Sequence, residues 1–126
     1  MAAVFTTSGA FFLTDLLVAG TTATVWAIGF GSGTTTEAAS DLDLENRATE
    51  GTVIATSTGE QAGASDTAEW IGTVTINRGS GFSVEEAALF WDSTGTASKM
   101  LIRGTHTTVA AATDDQIRYT FRLQQT

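Results

Sequence analysis

Cysteine and proline are both absent from the 126 residues, lysine occurs once, at Lys99, and histidine once, at His106. Without cysteine there is no disulfide, no thiolate nucleophile and no thiolate metal ligand. Without proline, turns fall to Gly, Asn, Asp and Ser. Six basic residues against fourteen acidic ones leave a net charge of −8. Such a surface does not neutralise a phosphate backbone, which excludes nucleic acid as a partner. No long apolar run is present either. The best stretch, Ala10–Ala19, is interrupted by Asp15, lacks a basic flank and is too short to span a bilayer, so neither a membrane partner nor a targeting segment is expected.

What the chain has in quantity is glycine and threonine. AIGFGSGTTTEAAS, residues 27–40, sets an apolar stretch against a glycine-rich loop, as phosphate-binding loops do. The spacing fails, because Gly29, Gly31 and Gly33 are two apart and a dinucleotide fingerprint would need its third glycine where Thr34 stands. No Gly-Lys-Ser/Thr follows. The next charged residues are Glu37, Asp41, Asp43 and Glu45, which repel a phosphate. A bending strand exit is the better reading, and no cofactor is expected.

At this length one domain with a real core is expected, in three parts: an N-terminal arm over 1–7, a helix over 8–19 and a β domain over 22–125. Thr7 or Ser8 is placed to cap the helix, Phe12 and Leu16 share a face with Leu13 and Leu17 beside them, and Gly20 ends it. From Thr21 the period changes to two. Strands are predicted at 22–30, 52–58, 68–76, 82–91, 98–106 and 116–124, with turns at 77–81 and 92–95. The fold class is therefore all-β, a sandwich or small barrel of about six to eight antiparallel strands with one short helix. In the last strand Ile117, Tyr119, Phe121 and Leu123 form the inward face. In 82–91, Val84, Ala88 and Phe90 oppose Ala87, Leu89 and Trp91, so that strand is apolar on both sides and covered on both.

Catalytic constellations are thin. His106, flanked by Thr105 and Thr107, reads as a surface residue. Glu85 and Glu86 are adjacent and point to opposite faces of a strand, so they form no glycosidase pair. Asp41, Asp43 and Glu45 place oxygen ligands at alternate positions, as a calcium loop begins, but its central glycine and closing glutamate are missing. A capped turn is favoured instead, with Ser40 or Asp41 as cap, Leu42 and Leu44 as anchors and Glu45 or Arg47 in local polar bonds. No metal site and no catalytic residue are assigned. A glycan module would need aromatic platforms beside acids, for which Trp91 and Asp92 are adjacent candidates.

Taken in order, Asp15-Leu16-Leu17 in the helix, the strand ending TrpAlaIleGlyPheGlySerGlyThr at 26–34 and SerAspLeuAspLeuGluAsnArg at 40–47 resemble small virion structural proteins of tailed viruses. ValGluGluAlaAlaLeuPheTrp at 84–91 is similar to their "ITEAGLF" strand, with Ala88 in place of the family glycine. LysMetLeuIleArg at 99–103 and ArgTyrThrPheArgLeu at 118–123 match the following strands. The resemblance implies a non-enzymatic structural protein with no small-molecule substrate. It implies a capsid decoration protein on the outer capsid surface, bound to the major capsid protein as a homo-oligomer, a trimer. A tail tip, baseplate or tail-fibre component touching a host receptor is the alternative. The contact is expected through the uncharged N-terminal residues Met1, Ala2, Ala3, Val4, Phe5 and Thr6, whose side chains order at modest entropy cost. Removing them is expected to weaken attachment without unfolding the domain.

Overall fold

The computed structural model describes residues 2–20, 25–61, 63–78 and 82–124. Alternating apolar residues with β-branched threonines give strands that bury one face, and among these residues the chain runs as eight strands and one helix. They are β1 (Ala2–Phe5), α1 (Thr7–Ala19), β2 (Ala27–Gly31), β3 (Arg47–Ile54), β4 (Ser57–Gln61), β5 (Ala64–Thr75), β6 (Phe82–Phe90), β7 (Met100–Ala111) and β8 (Gln116–Gln124). They pair antiparallel in two sheets, one of five strands in the order β1-β7-β6-β2-β3 and one of three in the order β4-β5-β8. The arrangement is a sandwich, not a closed barrel.

The core is made by both sheets. Ile28, Phe30, Ala87, Leu89, Leu101 and Ile102 of the larger sheet meet Trp70, Val74, Tyr119 and Phe121 of the smaller one and Ile76 just beyond β5. In β8 the two central inward residues, Tyr119 and Phe121, are buried, Ile117 and Leu123 are half-buried, and the five alternating residues are exposed. The helix adds Phe12, which stacks on Trp91 with ring centroids 4.6 Å apart and meets Trp26 edge-on at 6.0 Å.

Several expectations are corrected. Residues 2–5 are not a free arm but a strand, with Ala2 to Phe5 opposite Thr105 to Ile102 of β7. Thr6, not Thr7 or Ser8, caps the helix: its Oγ1 accepts from the Gly9 N–H at 2.9 Å, while its own N–H donates to the Leu101 carbonyl at 2.9 Å. Thr6 is thus a buried joint between sheet and helix, and deleting 1–6 would remove a strand and a cap together. The helix ends as predicted, at Gly20 with φ 72°. The stretch predicted as one strand over 52–58 is two, β3 beginning earlier at Arg47 and the chain changing sheets after Ile54. β7 starts at Met100, because Ser98 has φ 72°, and runs on to Ala111. Residues 22–24 of the first predicted strand, 79–81 of the predicted turn and Met1 lie outside the described residues.

Candidate interaction surface

The outward face of β6 and β7 is covered by the loop between β2 and β3. Leu44 of this loop packs on Ala88, Phe90 and Met100 as a second, smaller apolar cluster. Strand β6 is therefore covered on both sides as expected, with one correction. Val84 belongs to the main core with Ala87 and Leu89, because a register shift against β7 between Val84 and Glu86 changes the facing.

Beside Leu44, the same face carries a charged cluster. Glu86 is fully buried and accepts backbone N–H bonds from Gly33 (3.1 Å), Glu45 (3.1 Å) and Asn46 (2.8 Å). Arg103 of β7, also buried, donates to Glu86 through Nε at 3.0 Å, to Asp41 through Nη1 at 2.9 Å and to the Thr35 carbonyl through Nη2 at 3.2 Å. Burial alone would pull the guanidinium pKa down; the bonds to Glu86 and Asp41 outweigh it and raise it. The glycine loop does cradle an anion, and the anion is a carboxylate of the protein itself. Its glycines allow that approach: a Cβ on Gly31 would stand 2.1 Å from the Asn46 carbonyl oxygen and one on Gly33 2.6 Å from Glu86 Oε1.

The acids considered as calcium ligands are committed to this clamp. Asp41 pairs with Arg103, Asp43 with Arg47, and Glu45 accepts from the Thr35 N–H at 2.7 Å, a bond that lowers its pKa. Asp41 bonds backward and does not cap the turn that follows it: its carboxylate accepts from the Ala38 N–H at 2.9 Å and closes residues 38–41. Leu44 anchors the loop, whereas Leu42 is 54% exposed and does not. Arg47 extends over the Phe90 ring at 4.9 Å. No group of three or more His, Cys, Asp or Glu among the described residues is arranged to hold a metal ion.

Other singled-out residues are equally engaged. Glu85 accepts from the Thr108 hydroxyl at 2.5 Å. His106 is not a free surface side chain: its Nε2 lies 2.9 Å from the Tyr119 hydroxyl, tying β7 to β8 across the sandwich. Burial pushes the Tyr119 hydroxyl pKa well up. Trp91 is stacked under the helix, and Asp92 accepts from the Gly95 N–H at 2.8 Å to close its own turn.

One clamp makes a pH prediction. Arg78 donates through Nε to Glu50 at 3.0 Å and holds its carboxyl at about 2, below its ordinary 4.5. A carboxyl depressed in the fold stabilises it fully above the unfolded value, and this is lost as the pH falls from about 4.5 to about 2. The melting-temperature gap between the wild type and Arg78→Ala is therefore expected to be widest near neutrality and to close through that window. A gap constant from pH 7 to pH 2 would contradict it.

With its polar groups so engaged, the fold leaves an apolar corner open at its N-terminal end. In α1, Phe11 is 68% exposed and Leu17 and Val18 are each 83% exposed. Phe5, Leu13, Leu16, Leu17, Trp26 and Trp70 line a groove of about 860 Å³ between the helix and the smaller sheet. Exposed apolar groups gathered in this way mark interaction sites on folded domains. Of the residues expected to make contact, Ala3 is exposed, Val4 and Phe5 are half-buried, and Thr6 is buried and contributes no surface. No helix among the described residues is long and apolar enough to cross a membrane. The chain matches no family model, no curated protein and no solved structure.

Proposed function

We propose that the protein is a non-enzymatic structural component of the virion of a tailed virus, a capsid decoration protein that braces the outer face of the major capsid shell. The observation that carries this reading is the apolar corner of β1 and α1 on an otherwise acidic domain. Residues 2–36 hold a single charged side chain, Asp15, while the chain as a whole carries a net −8. A domain of this kind works through contact. It buries on the order of 800 Å² per partner, and repetition over many copies turns weak contacts into a brace. The ordered run of segments similar to small virion proteins supports the same reading.

Particles made without the protein are expected to assemble and to release their DNA at lower temperature than complete ones, and adding the purified protein back should restore the difference. Particles of unchanged thermal stability would contradict a bracing role. Protein present in only a few copies at the tail would favour a tail-tip, baseplate or fibre component instead.

A further inference from the structure

Four strands end the two sheets, and three of them are guarded against adding another strand. β3 is interrupted by a register shift against β2 and by Gly51 at φ 81°, and its Glu50 is held by Arg78. β4 is broken by Gly59 at φ 147° and by a register shift between Glu60 and Gln61. β8 carries exposed Arg118 and Arg122. Kinks, bulges and edge charges are the devices by which sheets avoid edge-to-edge association. β1 has none of them: Ala2–Phe5 is regular in register with β7 and contains no charge, no glycine and no proline.

The open side of β1 is defined by its bonds. The Thr6 N–H donates to Leu101 across the strand pair, so by alternation residues 2, 4 and 6 turn their backbone groups to β7 and the odd-numbered ones turn theirs outward; the Thr7 N–H is taken by the Ala39 carbonyl at 2.7 Å, which leaves the groups of Ala3 and Phe5 as the open edge. We propose that this edge pairs with β1 of a second copy of the same chain, antiparallel across a two-fold axis, joining two five-stranded sheets into one.

Charge and edge count select this occupant. A two-fold axis sets the same segment against itself, so any charged residue near the axis meets its own like charge. In a chain of net −8 the uncharged β1 escapes that repulsion. A head-to-tail ring built by strand addition would need a second open edge, and the described residues offer none. The four-residue ribbon alone falls short of about 800 Å² per partner. Phe11, 68% exposed and ~6 Å of helix rise beyond Thr7, is an exposed large apolar side chain available to add area. This contact needs no virion partner, though it draws on the same β1–α1 corner as the virion reading, and it sets two copies where the family resemblance implies three.

The test is sedimentation of the purified full chain across micromolar concentrations, with amide hydrogen exchange on the same samples. Ala3→Pro removes only an outward N–H, which an edge strand tolerates, and Ala3→Lys brings two like charges together. The wild type is expected to be a dimer in which the Ala3 and Phe5 amides are protected. Loss of the two symmetry-related bonds in Ala3→Pro should raise the dissociation constant about tenfold to a hundredfold. Ala3→Lys should do at least as much with the circular dichroism unchanged, which keeps the proposal testable should the proline variant misfold. A monomeric or trimeric wild type, unprotected Ala3 and Phe5 amides, or a dimer indifferent to both substitutions would overturn it.

Discussion

Glu86→Ala is expected to destabilise the fold by ~3–5 kcal/mol, because it removes the fully buried partner of the Arg103 guanidinium and leaves only Asp41, at the partly exposed rim, hydrogen-bonded to it. The ion pair is only part of what is lost. Three backbone N–H groups of the loop, from Gly33, Glu45 and Asn46, converge on the same carboxylate and have no replacement acceptor once it is gone. The loop should therefore detach from the outer face of β6 and β7, exposing the Leu44, Ala88, Phe90 and Met100 cluster. Urea unfolding gives the stability, and hydrogen exchange at 33, 45 and 46 reports the detachment. Combining Glu86→Ala with Arg103→Met separates the two contributions: the guanidinium that has lost its buried partner disappears but the orphaned amides remain. The double variant should recover only part of the loss. A Glu86→Ala protein within about 0.5 kcal/mol of the wild type would show that the carboxylate is not what holds the loop.

Phe121→Ala is expected to cost a similar ~3–5 kcal/mol, for an unrelated reason. Phe121 is 2% exposed, sits opposite Trp70 in the β5–β8 pair and lies 6.3 Å from the Tyr119 ring. The smaller sheet has only three strands, so its inward face depends on a few large side chains. Truncating one leaves a cavity that the flanking strands cannot close. A reversible thermal or urea melt measures the loss; an unchanged midpoint would mean that the inward face of β8 is misassigned.

These two residues also show what was legible in the sequence. β8 could be read directly, since its apolar residues alternate with polar ones from end to end and nothing interrupts the period. β1 was missed because four uncharged residues carry no period, and their pairing with β7, about a hundred residues away in sequence, leaves no local mark. The split between β3 and β4 was missed for another reason. Residues 52–58 keep strand-like composition while the chain changes sheets, so propensity alone ran through the crossing. Glu86 and Arg103 were passed over as functional residues although a signal existed. Each is a charge set in an apolar run, Glu86 beside Glu85 in VEEAALF and Arg103 after Met100-Leu101-Ile102, and a charge on the inward side of such a run is buried only when paired. That they pair with each other depends on the β6–β7 register, which composition does not give. The exposure of Leu17, Val18 and Phe11 was hidden for the same reason: α1 is apolar around most of its circumference, and only packing decides which side is covered.

The corner formed by β1 and α1 is the surface on which the functional account depends. The proposed position on the capsid exterior, as a repeated brace, is measured most directly by the protein's location and copy number in electron-microscopic reconstructions of intact particles. Density is expected in many symmetry-related copies over the capsid shell, with the β1–α1 corner turned toward a neighbour. Density confined to the tail, or no density on the particle at all, would contradict it.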